Sequence, residues 1–410
     1  MMKTVLQYII YILLIYAYIN NPILSPLGGI GVVKLLYLFS GAVILASVAF
    51  YNKNIGYVKR ELRFLILANV YIVLRTLFGP DIQNYLYTGV VQIIEEIIVP
   101  VAIVTYLIKH NLSRSDFIRV LLVVASTGGL ISTVCLLIPS VNEYVRNTVV
   151  IIEKDSYLAE NLFRGFGISD GLTFSYGIIQ GFLFSLGLLH LKDNKWFIAF
   201  MPIVALSVLV NARTGFLIII VGIVLYAIFN SAFNVFSVTV LSVVIVSYIL
   251  PWALSMIGDE TTSWMQDFFN EIAAVFDKSK GADSTTAAAL FGRMVILPET
   301  IWQWIIGRGV YMFGQKTGNN TDVGWFLQLN LGGLIYVLFL FGLVKCLFRK
   351  LKECHTELST ILLILGTILI ANTKGDFLIN SGGFRLILLV VFFYYSSYRC
   401  QCSTNLRQVC

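Results

Sequence analysis

The stretch "LSVLVNARTGFLIIIVG", residues 206–222, sets one permanent cation, Arg213, between two apolar runs, with Asn211, Thr214 and Gly215 as its polar or flexible company. The flanking runs are unbroken rather than alternating. They therefore read as helices, which satisfy their own backbone polar groups as lipid requires. Each arm is about sixteen residues, short of the ~20 that a bilayer core usually takes. This predicts a hairpin whose tip stops below the outer surface in a water-filled dent. An arginine at such a tip must pair or face a cavity, and its planar guanidinium suits phosphate oxygens through two parallel hydrogen bonds. Snorkelling to the outer headgroups is the plainer alternative.

The rest of the chain carries the same signal. Of 410 residues, 58% are hydrophobic and only 12% charged, which is too apolar for a soluble domain with a hydrated surface. The expected fold is all-α: a polytopic transmembrane helical bundle forming a single integral membrane domain over 1–410. Apolar windows place spans near 5–21, 31–51, 64–79, 85–108, 118–139, 172–191, 196–211, 214–230, 235–252, 323–345, 358–372 and 384–396, about twelve in all. The first window lacks a small-residue cleavage pattern and reads as a retained span.

Orientation follows from the basic connections, because Lys and Arg near span ends are retained in the cytoplasm. "YNKNIGYVKRELR" (51–63), "KHNLSRSDFIR" (109–119), "KDNK" (192–195) and "KCLFRKLKECH" (345–355) fall on one side with the C-terminal tail, so both termini are expected in the cytoplasm. Cys346, Cys354, Cys400, Cys402 and Cys410 fall on that reducing side, where no disulfide is needed. The C-x-C spacing of Cys400 and Cys402 lacks further ligands, and palmitoylation or plain exposure explains it more simply than zinc.

Two connections on the opposite face are long, 140–171 and 253–322, and are expected to carry short helices and the chemistry. In the second, "SWMQDFFNEIAAVFDK" (263–278) has an apolar helical face that either packs over the bundle or lies on the membrane surface. The net charge of +7 is explained in part by the positive-inside bias. The arginines outside that bias are Arg75, Arg146, Arg164, Arg213, Arg293, Arg308 and Arg385. They are scattered among apolar spans rather than gathered on a soluble face, which argues against nucleic acid and for a lipid-borne anion.

Several of these charges meet the membrane with glycines or carboxylates. Arg164 opens "RGFGISDGLTFSYG", where glycines let a ligand approach the backbone; pairing with Glu160 or Asp170 is its bland reading. Arg293, Arg308 and Lys316 precede Asp322, the carboxylate at the mouth of the next span. Asp322 either accepts a proton from a hydroxyl, holds an arginine, or caps the helix beginning at Val323. Glu95 and Glu96 fall mid-span, where an unpaired carboxylate is costly, so Arg75 is a candidate partner and a proton pathway the alternative. Asp376 and Arg385 flank the last outer turn and are expected to pair across it. The three histidines all fall on the inner side, which leaves no outward histidine base and no histidine cluster for a metal. No phosphate-binding Gly-x-x-x-x-Gly-Lys-Ser/Thr loop points to ATP.

"NARTGFLII" between short spans, "FRGFG" at the end of an earlier outer loop, "IIGRGVYMFG", and "NNTDVGWFLQLNLGGLIYVLFLFG" entering the next span together resemble the Wzy-type O-antigen polymerases and the wider O-antigen ligase and polymerase superfamily. The resemblance covers most of the chain in architecture, through short, degenerate motifs. It implies a metal-independent GT-C-type membrane glycosyltransferase, without cofactors, in the bacterial inner membrane. Its implied partners are undecaprenyl-pyrophosphate-linked oligosaccharides as donor and acceptor, membrane lipid, and a chain-length regulator protein. The ligase branch commonly carries a histidine where this chain reads "NNTDVGW"; that departure favours polymerase over ligase and leaves the general base open.

On this reading the growing glycan passes from its lipid pyrophosphate to a hydroxyl of the next lipid-linked repeat. Fixed cations in a partly dehydrated pocket would stabilise the departing pyrophosphate, with Arg213 and Arg164 first and Arg293 or Arg308 next. Lys316 and Arg75 would add to substrate binding, and Asp322 would orient or activate the acceptor hydroxyl. Trp302, Trp304, Tyr311 and Trp325 would face sugar rings, or anchor at the interface as Trp and Tyr commonly do. A lipid-linked oligosaccharide flippase is the rival from another class; the chain shows no internal repeat relating its halves, which weighs against it.

Overall fold

In the computed structural model the apolar windows that it describes are mainly helical. It describes residues 2–24, 30–51, 55–77, 82–148, 165, 167–169, 172–230, 292–313, 320–379 and 381–409, together with 263, 266 and 270. The helices are α1 (Met2–Asn20), α2 (Val32–Tyr51), α3 (Lys59–Arg75), α4 (Ile82–Ile93), α5 (Val99–Lys109), α6 (Arg114–Leu137) and α7 (Pro139–Thr148). They continue with α8 (Gly177–Leu189), α9 (Met201–Asn211), α10 (Arg213–Phe229), α11 (Ile301–Ile306), α12 (Gly324–Glu353), α13 (Leu358–Asn372) and α14 (Gly382–Val409). A two-stranded antiparallel pair, Ile23–Leu24 with Ile30–Gly31, is the sheet present among the described residues. By length and composition alone, three helical stretches there are long and apolar enough to cross a membrane: Gln83–Lys109, Arg114–Leu137 and Gly324–Glu353, the last interrupted at Gly333. The expected span at 235–252 lies outside the described residues, as does most of 263–278.

The chain divides into two compact units. The first comprises Met1–Leu35, Ser115–Gly281 and Glu357–Ile370; the second comprises Leu36–Arg114, Ala282–Thr356 and Ala371–Cys410.

In the first unit α8 packs on α9 and α10. Apolar helices in lipid gain little from the hydrophobic effect against one another, so close backbone approach must supply the attraction. Gly177, Gly181 and Ser185 recur every fourth residue along α8 and meet Ala212, Gly215 and Gly222: a Cβ at Gly181 would collide with the Gly215 carbonyl, and one at Gly215 with the Gly177 carbonyl. Ser185 Oγ donates to the Ile218 carbonyl at 3.0 Å, a polar tie across the same seam.

The second unit is built around α3, α5, α12 and α14. The run Phe384–Tyr394 of α14 is buried on every side, as expected of a helix apolar all round. At one end Lys350 and Glu61 form a buried ion pair, and the ammonium lies 5.3 Å from the Phe392 ring centroid. Arg114 gathers that end further, donating to Ser397 Oγ at 3.2 Å and the Tyr394 carbonyl at 3.1 Å.

The window 323–345 is not one straight span. Within α12, Gly333 has φ +66°, a left-handed conformation that breaks the helix. The rings of Trp325 and Phe341 stack with centroids 6.1 Å apart, whereas sixteen residues of straight helix would separate them by about 24 Å. The two limbs, 324–332 and 334–353, therefore fold back on each other. Consecutive glycines at 332 and 333 are the sequence cause.

Candidate functional site

In the first unit, α9 and α10 are joined by Ala212 alone, in extended backbone. The hairpin expected from the sequence is present, and Arg213 is the first residue of its second arm, half-buried, at the positive end of α10. Buried Asn211 organises the tip: its Nδ2 donates to the Ser207 carbonyl at 2.8 Å, to the Gly165 carbonyl at 3.2 Å and to Ser132 Oγ at 3.3 Å. Ser132 Oγ also donates to the Gly165 carbonyl. Gly165 has no room for a side chain, since a Cβ there would strike the Ser132 carbonyl. The residue that follows Arg164 is thus tied to the residue two before Arg213. Arg164 itself, Lys316, Glu160 and Asp170 lie outside the described residues, as does the Arg146 side chain.

In the second unit the glycine motifs serve the broken helix. Beside the Gly333 break the carbonyls of Asn330 and Leu331 accept from the segment after α11: Arg308 N donates to Asn330 O at 2.6 Å and Gly309 N to Leu331 O at 3.1 Å. The approach is so close that a Cβ at Gly307 would lie 2.6 Å from the amide nitrogens of Gly332 and Gly333. Gly307 and Gly309 have φ of +76° and +75°, so "IIGRG" is a strap that only glycine geometry permits at these points.

Arg75 holds this strap. It closes the last turn of α3, where its Nε donates to the Ile306 carbonyl at 3.0 Å and its Nη2 to the Gly307 carbonyl at 2.9 Å. The expected pairing of Arg75 with Glu95 or Glu96 therefore gives way to backbone carbonyls. Arg385 takes the carboxylate instead, because it stands in the first turn of α14, and α14 packs against the turn that carries Glu95. Its Nη1 donates to Glu95 Oε2 at 2.9 Å, both side chains being buried, and Tyr37 Oη donates to Glu95 Oε1 at 2.6 Å. Glu95 and Glu96 both fall in a π-helical turn, Ile94–Ile98, between α4 and α5, an irregularity that often marks functional sites. Gln92 Nε2 donates to Glu96 Oε2 at 3.1 Å, while Gln92 Oε1 accepts from Asn69 Nδ2 at 3.1 Å.

Asp322 and Asp376 also differ from expectation. Asp322 does not cap α12: the N-cap is Val323, without a side-chain cap, and Thr321 Oγ1 accepts from Val323 N at 3.2 Å. Asp322 instead accepts from Lys374 Nζ at 3.2 Å, both side chains partly exposed. Asp376 does not pair with Arg385, whose guanidinium is turned to Glu95. It accepts from Gln328 Nε2 at 2.8 Å and from the Tyr311 hydroxyl. Burial pushes its pKa up to about 7, against the lowering effect of those two donors. Tyr311 is raised in turn, by burial first and then by the Asp376 charge.

Asp376 lines a cavity of ≈430 Å³ in the second unit. α3 and α4 contribute Asn69, Asn84, Tyr85, Thr88 and Gln92; Tyr311, Tyr336 and Asp376 form further wall, with Ile72, Leu331 and Ile379 as apolar lining. Asn84 and Thr88 are exposed, so the mouth opens beside α4. The other expected site residues described in this unit do not line the cavity. Arg308 donates to the Leu297 carbonyl at 2.9 Å and to Glu299 at 3.2 Å, and Arg293 is exposed. Trp302 is exposed and Trp304 half-buried on the short helix α11, and Trp325 is engaged with Phe341. Of the expected residues that are described, Tyr311 alone is a lining residue.

The cavity is hard to read from the sequence because its polar groups come from five separate stretches. A usable signal is present all the same: Asn69 and Gln92 are amides inside apolar helices, where a polar side chain must find a partner or a cavity. No family model matches the chain, and no curated protein matches it.

Proposed function

We propose that the chain is a membrane-embedded polymerase of a bacterial surface polysaccharide, of the O-antigen polymerase type. It would transfer the growing glycan from undecaprenyl pyrophosphate to the next lipid-linked repeat. The finer architecture belongs to the same proposal: about twelve spans, both termini cytoplasmic, and the outer segments 140–171 and 253–322 in the periplasm.

The observation that carries this reading is the tie from Asn211 to the Gly165 carbonyl. It ties the carbonyl of the residue after Arg164 to the side chain of the residue two before Arg213, at the end of two short apolar arms. Two guanidinium-bearing segments so joined suit a pyrophosphate, whose oxygens take paired N–H donors and whose charge grows as the sugar leaves. A flippase reading draws on Glu95 and Glu96, but Glu95 is held by a buried arginine, a poor arrangement for a carboxylate that must load and release protons.

The test is polymerisation by purified protein with one defined lipid-linked repeat. Arg213→Ala and Arg164→Ala should each lower turnover by about 100-fold, the scale of losing one preorganised donor to developing charge. Full activity in both variants would overturn the pyrophosphate assignment. In cells, deletion should leave single repeats on the surface lipid; loss of all exported glycan would indicate a flippase instead.

A further inference from the structure

We infer that the cavity between α3, α4 and the Tyr311–Asp376 wall is a binding subsite for one uncharged sugar ring of the lipid-linked repeat, with Asp376 accepting a hydrogen bond from a ring hydroxyl. This rests on the polymerase reading for the identity of the ligand, while the site itself is argued from its lining.

Size suits a small organic group: ≈430 Å³ falls within the ~300–1,000 Å³ of small-molecule sites. Composition then selects the ligand. The lining offers amides from Asn69, Asn84 and Gln92, hydroxyls from Tyr85 and Tyr311, and the carboxyl of Asp376. These are donors and acceptors for hydroxyl groups, and the tyrosine rings add apolar faces for the C–H side of a sugar. Among the described residues no lysine or arginine lines the cavity. A carboxylate-bearing or phosphorylated group would meet no cation from them and would face Asp376.

The polar groups are also held in place. Gln328 fixes Asp376, and Gln92 is fixed from one side by Asn69 and bonded on the other to Glu96. A ligand therefore meets a preset pattern, and little entropy is lost in ordering it. The strap secured by Arg75 carries Tyr311 into the wall a few residues later.

The experiment uses the full chain in lipid nanodiscs and, as probe, the lipid-free single repeat released by mild acid from a strain lacking the gene. Saturation-transfer NMR should show the strongest transfer on an uncharged ring. Binding should weaken at least tenfold in Asp376→Ala and in Thr88→Phe, which fills the mouth from an exposed position. Asp376→Asn, which retains an acceptor for Gln328, should lose less. Unchanged binding in both Asp376→Ala and Thr88→Phe, or strongest transfer on a uronic ring, would overturn the subsite. The two proposals fail separately. Polymerisation with unchanged KM in Thr88→Phe would remove the subsite and leave the polymerase, whereas cavity-dependent binding without any polymerisation would do the reverse.

Discussion

Arg385 and Glu95, 290 positions apart, meet in the interior of the second unit at 2.9 Å with 4% and 7% of their side-chain surfaces exposed. Removing one partner leaves a buried charge without its counterion, a loss of about 3–5 kcal/mol, while removing both costs much less. Arg385→Met should therefore lower the melting temperature in detergent sharply. The double variant Arg385→Met with Glu95→Gln should recover much of that loss. Equal melting temperatures for the single and double variants would show that the pair contributes nothing.

Gly333 has no room for a side chain. Its φ is +66°, and a Cβ there would collide with the Gly307 amide nitrogen. Gly333→Ala should abolish monodisperse folded protein on size-exclusion chromatography. Gly41→Ala, where nothing lies within 4 Å of the new Cβ, should elute as the parent does.

Asn211 makes three hydrogen bonds from one buried amide. Asn211→Ala leaves the Gly165 carbonyl with Ser132 as its remaining partner and should cost about 1–3 kcal/mol. Limited proteolysis should then cut near residue 165 faster than in the parent. An unchanged cleavage rate would mean that Ser132 alone suffices to hold the segment.

Asp376 should make stability depend on pH. Its folded-state pKa, pushed up to about 7 from an ordinary 3.8, means that the folded chain binds a proton that the unfolded chain releases between those values. Stability from this group is therefore full below the ordinary carboxylate pKa and is lost as pH rises through about 7. Asp376→Asn should raise the melting temperature relative to the parent at about pH 8, by roughly 3 °C, and show no such gain at about pH 4. A gain of equal size at both pH values would contradict the linkage.

The helical class is legible because unbroken apolar runs permit little else in lipid, and the hairpin at Arg213 follows from two short runs meeting at a polar tip. The Gly333 break is harder to read. Its glycines are plain in "NLGGL", but an apolar run of that length is equally compatible with a straight helix, and the deciding groups are backbone amides supplied by residues 308 and 309. Charge partners are the least legible part. Sequence proximity points Glu95 to Arg75, yet the choice depends on which helix ends face each other, a tertiary fact that spacing leaves free. Asp376 stays hidden for the same reason: Gln328 and Tyr311, which define it, come from other elements.

The strap held by Arg75 changes how mutational loss at that position should be understood. Its guanidinium grips two adjacent carbonyls through separate nitrogens, a fork that an ammonium cannot reproduce. A defective Arg75→Lys protein would therefore report on backbone architecture, even though the substitution conserves charge. At this site, charge conservation is the wrong yardstick for function.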